Sequence, residues 1–158
     1  VSSAAYITQM QVTQDEIVVG LVVPLDTPLL RTIGGSQTNA ERGASGDRAV
    51  TDARDFLVVD VDASLAVCTA VPLFPTSAVG NQPLLEHLKT GHAENWIGTP
   101  SYFSHWQHWR IPLASIVGAS SGESSAPADR RRYAINDRTA LDDIRNWQKR
   151  NRAPYRAA

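Results

Sequence analysis

Two β-branched runs stand almost end to end in the middle of the chain, Phe56-Leu-Val-Val-Asp-Val-Asp62 and Leu65-Ala-Val-Cys-Thr-Ala-Val-Pro-Leu-Phe74, with only Ala63-Ser64 between them. So short a gap leaves room for a tight turn and nothing else, so the pair predicts an antiparallel hairpin. The rest of the fold must then be built around a sheet. Ile17 to Leu25 is short, β-branched and bounded by polar residues, which reads as a buried strand, and Tyr6 to Thr13 and Ile111 to Ala119 read as further strands. Three segments share an apolar-Pro-Leu core, at Val23-Pro24-Leu25, Val71-Pro72-Leu73 and Ile111-Pro112-Leu113. Proline cannot donate to a ladder, so these are expected at strand ends, bulges or edges of a strongly bent sheet.

Helical signals are fewer. Pro83 to Lys89 offers proline at a first helical position, leucines at 84, 85 and 88, and Gly91 as a stop, which predicts a short middle helix. Near the end, Asn136 or Thr139 can cap a helix over 136–150, with Ala140, Leu141, Ile144 and Trp147 on one stripe. Residues 31–54 are rich in Gly, Ser, Thr, Asn and charge without apolar periodicity and are expected to form a long mobile loop; 118–129 are expected to form a flexible connector. Strands first and a helix last predict an α+β single domain over 1–158, with a curved antiparallel sheet or small open barrel. A chain of 158 residues, 42% of them hydrophobic, suits one core.

Charge divides the chain. From Arg130 onward there are nine Arg and Lys against three Asp, whereas the preceding residues carry six bases and thirteen acids. The net charge of −1 conceals two opposed halves. Such asymmetry points to an electrostatic partner, whether the chain's own acidic body, a second copy or a polyanion such as RNA. The candidate nucleic-acid-binding residues are Arg130, Arg131, Arg132, Arg145, Lys149 and Arg150. A single cysteine, Cys68, lies in an apolar run and excludes an intramolecular disulfide. No apolar stretch approaches the ~20 residues a membrane span requires. Together these features read as a cytoplasmic protein with no membrane partner.

Few motifs carry chemistry. Gly118-Ala119-Ser120-Ser121-Gly122 matches the Gly-x-Ser-x-Gly nucleophile elbow after an expected strand, yet no histidine follows His108 to complete a triad. His105 and His108 could share a metal only on a helix, and no Cys pair or His-Glu-x-x-His pattern accompanies them, so neither a metal nor a cofactor is expected. Asp60 and Asp62 fall on one side of a strand, beside a turn, with Val59 and Val61 on the other. The segment Tyr102-Phe-Ser-His-Trp-Gln-His-Trp-Arg110 is exceptional in its aromatic content. It reads either as the entry to a core strand or as a ligand surface formed with Trp96 by Tyr102, His105, Trp106, His108 and Trp109.

At the hairpin the chain resembles the PemK/MazF family of small barrel-like toxins, which cut RNA without a metal. The resemblance covers about half the chain. It rests on Asp15-Glu16-Ile17-Val18-Val19 as an opening strand, on Arg54 just before Phe56-Leu-Val-Val, and on Val71-Pro72-Leu73-Phe74-Pro75-Thr76-Ser77 closing the hairpin. The family's opening Gly-Asp is missing, and Phe74-Pro75 intervenes before Thr76. The resemblance implies an SH3-like barrel and catalytic roles for Arg54 and Thr76. Three functions follow as expectations: RNA binding or metal-independent endoribonuclease activity; a non-enzymatic ligand-binding module with an aromatic pocket; and self-association through opposed charge.

Overall fold

Gly20, at φ +95°, ends a turn that the Ile17–Val19 backbone enters, and its N–H donates to Val58 O at 2.8 Å. A left-handed residue at this point favours glycine. The strand expected over 17–25 therefore begins late, as β1 (Val22–Leu25). The structure, a computed structural model, describes residues 12–40, 49–77, 81–90, 96–120, 134–135, 137–150 and 154–158. The expected strand over 6–13 lies almost wholly outside them; its last residue, Thr13, precedes a 3₁₀ turn at Gln14–Glu16.

After β1 comes α1 (Thr27–Ile33). Asp26 caps it by accepting Leu29 N–H at 3.1 Å, Pro28 sits in its first turn, and Gly34 ends it at φ +82°. Next comes β2 (Gln37–Thr38). The 31–54 loop is thus corrected: it contains the end of this helix, a strand and the start of the next one, with 41–48 outside the described residues.

The hairpin is β3 (Arg54–Asp62) and β4 (Val67–Phe74), paired antiparallel from Phe56↔Pro72 to Asp62↔Val67. Its turn is wider than expected, spanning Ala63 to Ala66. Asp62 Oδ1 organises it by accepting Ser64 Oγ at 2.7 Å and Leu65 N at 3.1 Å. Between Val58 and Asp60 the register shifts, so Val59 is an extra residue. A bulge of this kind breaks strict alternation. Phe56, Val58 and Val61 meet one core cluster and Leu57 and Val59 the other, which corrects the expectation that Val59 and Val61 share a side.

The following segment supplies β5 (Asn81–Pro83), a 3₁₀ turn at Glu86–Leu88 and β6 (Lys89–Thr90). The predicted middle helix shrinks to that single turn because Pro83 is spent on a strand. β7 (Tyr102–Ser104) and β8 (Trp109–Pro112) both run antiparallel to β4, β7 beside its end and β8 beside its start. The aromatic segment is therefore two strands laid along one edge of β4, joined by a turn.

α2 (Leu113–Ala119) replaces the second part of the strand expected over 111–119. Its buried residues Leu113, Ile116 and Ala119 recur every three positions, a helical spacing concealed within a uniformly apolar run. Gly118 and Ala119 thus belong to a helix rather than a connector, and 121–129 lie outside the described residues. β9 (Ala134–Ile135) pairs with β6, α3 (Arg138–Arg150) is the expected terminal helix, and β10 (Arg156–Ala157) pairs with β2. The cap of α3 is Asp137, whose Oδ1 accepts Ala140 N at 2.9 Å, rather than Asn136 or Thr139.

The result is an α+β domain whose main sheet, in the order β1-β3-β4-β8-β2-β10 with β7 and β5 beside β4, is antiparallel and open. One face buries Phe56, Trp109, Ile111 and Cys68 with Leu30 of α1 and Ile116 of α2. The other buries Leu57, Val71, Leu73, Trp96 and Phe103 with Leu141 and Ile144 of α3. No helix among the described residues is long and apolar enough to cross a membrane.

Candidate functional site

The pairing of β3 with β4 brings Arg54 abreast of Phe74 at the end of the hairpin away from its turn. The guanidinium lies over the Phe74 ring, 4.7 Å from its centroid, and Nε faces Asp52 Oδ1 at 3.0 Å while Nη2 faces Oδ2 at 3.4 Å. Among the described residues Asp52 is its only ion-pair partner. The Arg54 side chain is 22% exposed and that of Asp52 66% exposed, so the cation is fixed and its counterion faces water. Thr76, exposed, follows Phe74 by two residues. Tyr102, half-buried on β7, is the cross-strand partner of Phe74. Arg54, Thr76, Phe74 and Tyr102 thus gather at one end of the sheet, with a cation, a hydroxyl and two aromatic rings. Asp55, the next residue on β3, is pushed above the usual carboxylate range by burial.

The other candidates are dispersed. Trp109 is fully buried on one face, edge-on to Phe56 with ring centroids 5.7 Å apart; its Nε1 donates to Gln107 Oε1 at 2.9 Å and Arg31 lies 5.7 Å from its ring. Trp96 is buried on the opposite face, with Nε1 donating to Thr90 O at 2.9 Å. The two cannot wall one pocket, and so the aromatic pocket drawn from the sequence does not assemble. His105 stands edge-on to Phe103 at 5.1 Å, and Trp106 in the turn between β7 and β8 is exposed.

His108 is buried. Its Nε2 lies 3.2 Å from Ile144 O, and since a carbonyl only accepts, Nε2 carries the proton. Burial holds its pKa down at about 4, with His105 adding to the effect and the Ile144 contact opposing it. The imidazole therefore ties α3 to the sheet in its neutral form. It is not available to a ligand.

Among the predicted basic residues, Arg145 is paired within the chain, its Nη2 at 3.1 Å from Asp142 Oδ1 and its Nη1 at 4.0 Å from Asp60 Oδ1. Lys149 and Arg150 belong to the last turn of α3, but their side chains lie outside the described residues, as do Arg130, Arg131 and Arg132. Asp62, in the hairpin turn, is held below the usual carboxylate range, chiefly by the Ser64 hydroxyl.

Two sequence motifs lose their chemical reading. Ser120 closes the helix α2 where a nucleophile elbow needs a strand before its serine, and its buried hydroxyl donates to Val117 O at 3.0 Å and accepts Val12 N at 3.1 Å. The nucleophile elbow is therefore absent. Burial pushes the Cys68 thiol up to about 12, which leaves it an inert core residue. Among the described residues no three His, Cys, Asp or Glu converge to hold a metal ion.

Sequence reasoning missed Asp52 and Phe74 as members of the site. The Asp52-x-Arg54 spacing was the readable signal, because residues two apart share a face of an extended chain. It also missed Lys89, whose buried side chain reaches Glu86 and the backbone carbonyls of Trp96 and Thr99. No family model, no curated protein and no solved structure matches the chain.

Proposed function

We propose that the protein binds single-stranded RNA at the Arg54 end of the sheet and cleaves it there without a metal. The observation that carries this reading is the guanidinium fixed over Phe74, with exposed Thr76 two residues beyond that ring and Tyr102 across the strand. Aromatic rings next to a cation suit a base and its phosphate, and a planar guanidinium can donate two hydrogen bonds to one phosphate. In the reaction the RNA's own 2′-hydroxyl oxygen bonds to phosphorus as the 5′-oxygen leaves, and Arg54 stabilises the charge gathering on the equatorial oxygens. Thr76 orients the phosphate by a hydrogen bond. The products are a 2′,3′-cyclic phosphate and a free 5′-hydroxyl.

Incubating the purified protein with mixed-sequence RNA at low salt tests the proposal. Expected are cyclic-phosphate ends from the wild type and none from Arg54→Ala. RNA left intact by the wild type removes the enzymatic claim; binding that survives Arg54→Ala unchanged removes the site. The rival aromatic pocket has no comparable support, since Trp96 and Trp109 point into different clusters. Nor does self-association through opposed charge gain from Arg145, which meets carboxylates of its own chain.

A further inference from the structure

We infer that Asp52 is an internal stand-in for phosphate. Its carboxylate occupies the place on Arg54 that an RNA phosphodiester takes, so anion binding at this site is an exchange and not a simple addition. The inference rests on the RNA reading above and deepens it by naming the residue that sets the threshold for binding.

The geometry supports the exchange. Asp52 Oδ2 accepts a single long hydrogen bond from Nη2 at 3.4 Å, and Oδ1 lies 3.0 Å from Nε without a hydrogen-bonding angle, so the carboxylate sits where a phosphate would and leaves Nε for a better-placed oxygen. Arg54 is held in position by β1, where it is opposite Leu25, and by the Phe74 ring beneath it. Asp52 is 66% exposed and precedes the strand, so its carboxylate can swing into water without uncovering any core. The backbone two residues earlier does not need to follow. Val50 N–H donates to Gln107 Oε1 at 3.1 Å, and Val50 O accepts Arg31 Nη2 at 2.7 Å. Exposed ion pairs of this kind hold their partners by no more than about five-fold, weakly enough for a polyanion to win.

Fluorescence anisotropy with a labelled, mixed-sequence single-stranded RNA at low salt tests this, using the wild type, Asp52→Asn, Arg54→Gln, the double variant, and Asp15→Asn as a control for net charge. Expected is an affinity gain of about 2- to 5-fold for Asp52→Asn, little change for Asp15→Asn, and no gain from Asp52→Asn once Arg54 is Gln. If Arg54→Gln weakens binding while Asp52→Asn behaves like Asp15→Asn, the RNA reading stands and the inference is overturned. A gain that persists without Arg54 also overturns it. If no variant binds RNA, the RNA reading fails, and inorganic phosphate decides the matter through the nitrogen–proton shift of Arg54 Nε. Tighter phosphate binding by Asp52→Asn than by the wild type upholds the exchange, whereas equal or absent binding refutes it.

Discussion

Arg54 and Lys89 are built alike and serve opposite ends. Each lies over an aromatic ring, Arg54 on Phe74 at 4.7 Å and Lys89 on Trp96 at 4.6 Å, and each faces a carboxylate a few residues earlier, Asp52 and Glu86. Lys89 is sealed. Its side chain is fully buried, and its three donors are taken by Glu86 Oε1 at 2.6 Å, Thr99 O at 2.6 Å and Trp96 O at 3.1 Å. Glu86 is held below the usual carboxylate range, first by that lysine and then by Gly98 N–H. Arg54 keeps donors in hand and an exposed counterion. The difference teaches that a cation over a ring is a structural rivet when every donor has an acceptor, and a binding group when some do not.

The sharpest way to break the comparison is Lys89→Met, which strands three acceptors around a buried stem. It should cost about 3 kcal/mol in urea unfolding. His108 extends the contrast to a base kept neutral. Its folded pKa of about 4 lies below the ordinary 6.5, so as pH falls the unfolded chain takes up the proton first. Stability is therefore full above about pH 6.5 and declines toward pH 4, by about 2 kcal/mol between pH 6.5 and pH 5. Urea midpoints of His108→Gln should lack that component of the slope. Arg54→Gln should cost only about 1 kcal/mol of stability while weakening RNA binding about ten-fold. An equal stability loss from Lys89→Met and Arg54→Gln would erase the distinction between them. Smallest is Glu86→Gln, at about 0.5 kcal/mol, because Glu86 is exposed and Lys89 keeps its two carbonyls.

Local patterning explains what could be read in advance. The hairpin was legible because β-branched runs so close together admit little else, and the terminal helix because its apolar stripe repeats at helical spacing. α1 carried equally readable punctuation in Asp26, Pro28 and Gly34, which compositional reading of the polar stretch after it overshadowed. α2 was hidden for a different reason: in a run as apolar as Leu113 to Ala119, strand and helix patterns look the same until one knows which sides are covered. The aromatic segment marked two strands, but nothing in it told which face each ring would take. Lys89 was invisible because its acceptors Trp96 and Thr99 are backbone carbonyls, and any residue supplies a carbonyl. Of the site, Arg54 and Thr76 came from the family resemblance, whereas Phe74 and Asp52 became apparent only through strand register and side-chain geometry.

The extra residue at Val59 has a consequence for chain length. Removing it would restore simple alternation without turning its neighbours over, since Val58 would stay opposite Ala70, Asp60 opposite Thr69 on the side of Arg145, and Val61 opposite Cys68 toward the Phe56 interior. A single-codon deletion at Val59 should therefore keep the ladder in register on both sides of the gap and forfeit only the apolar filling that this one side chain gives the Leu57 face.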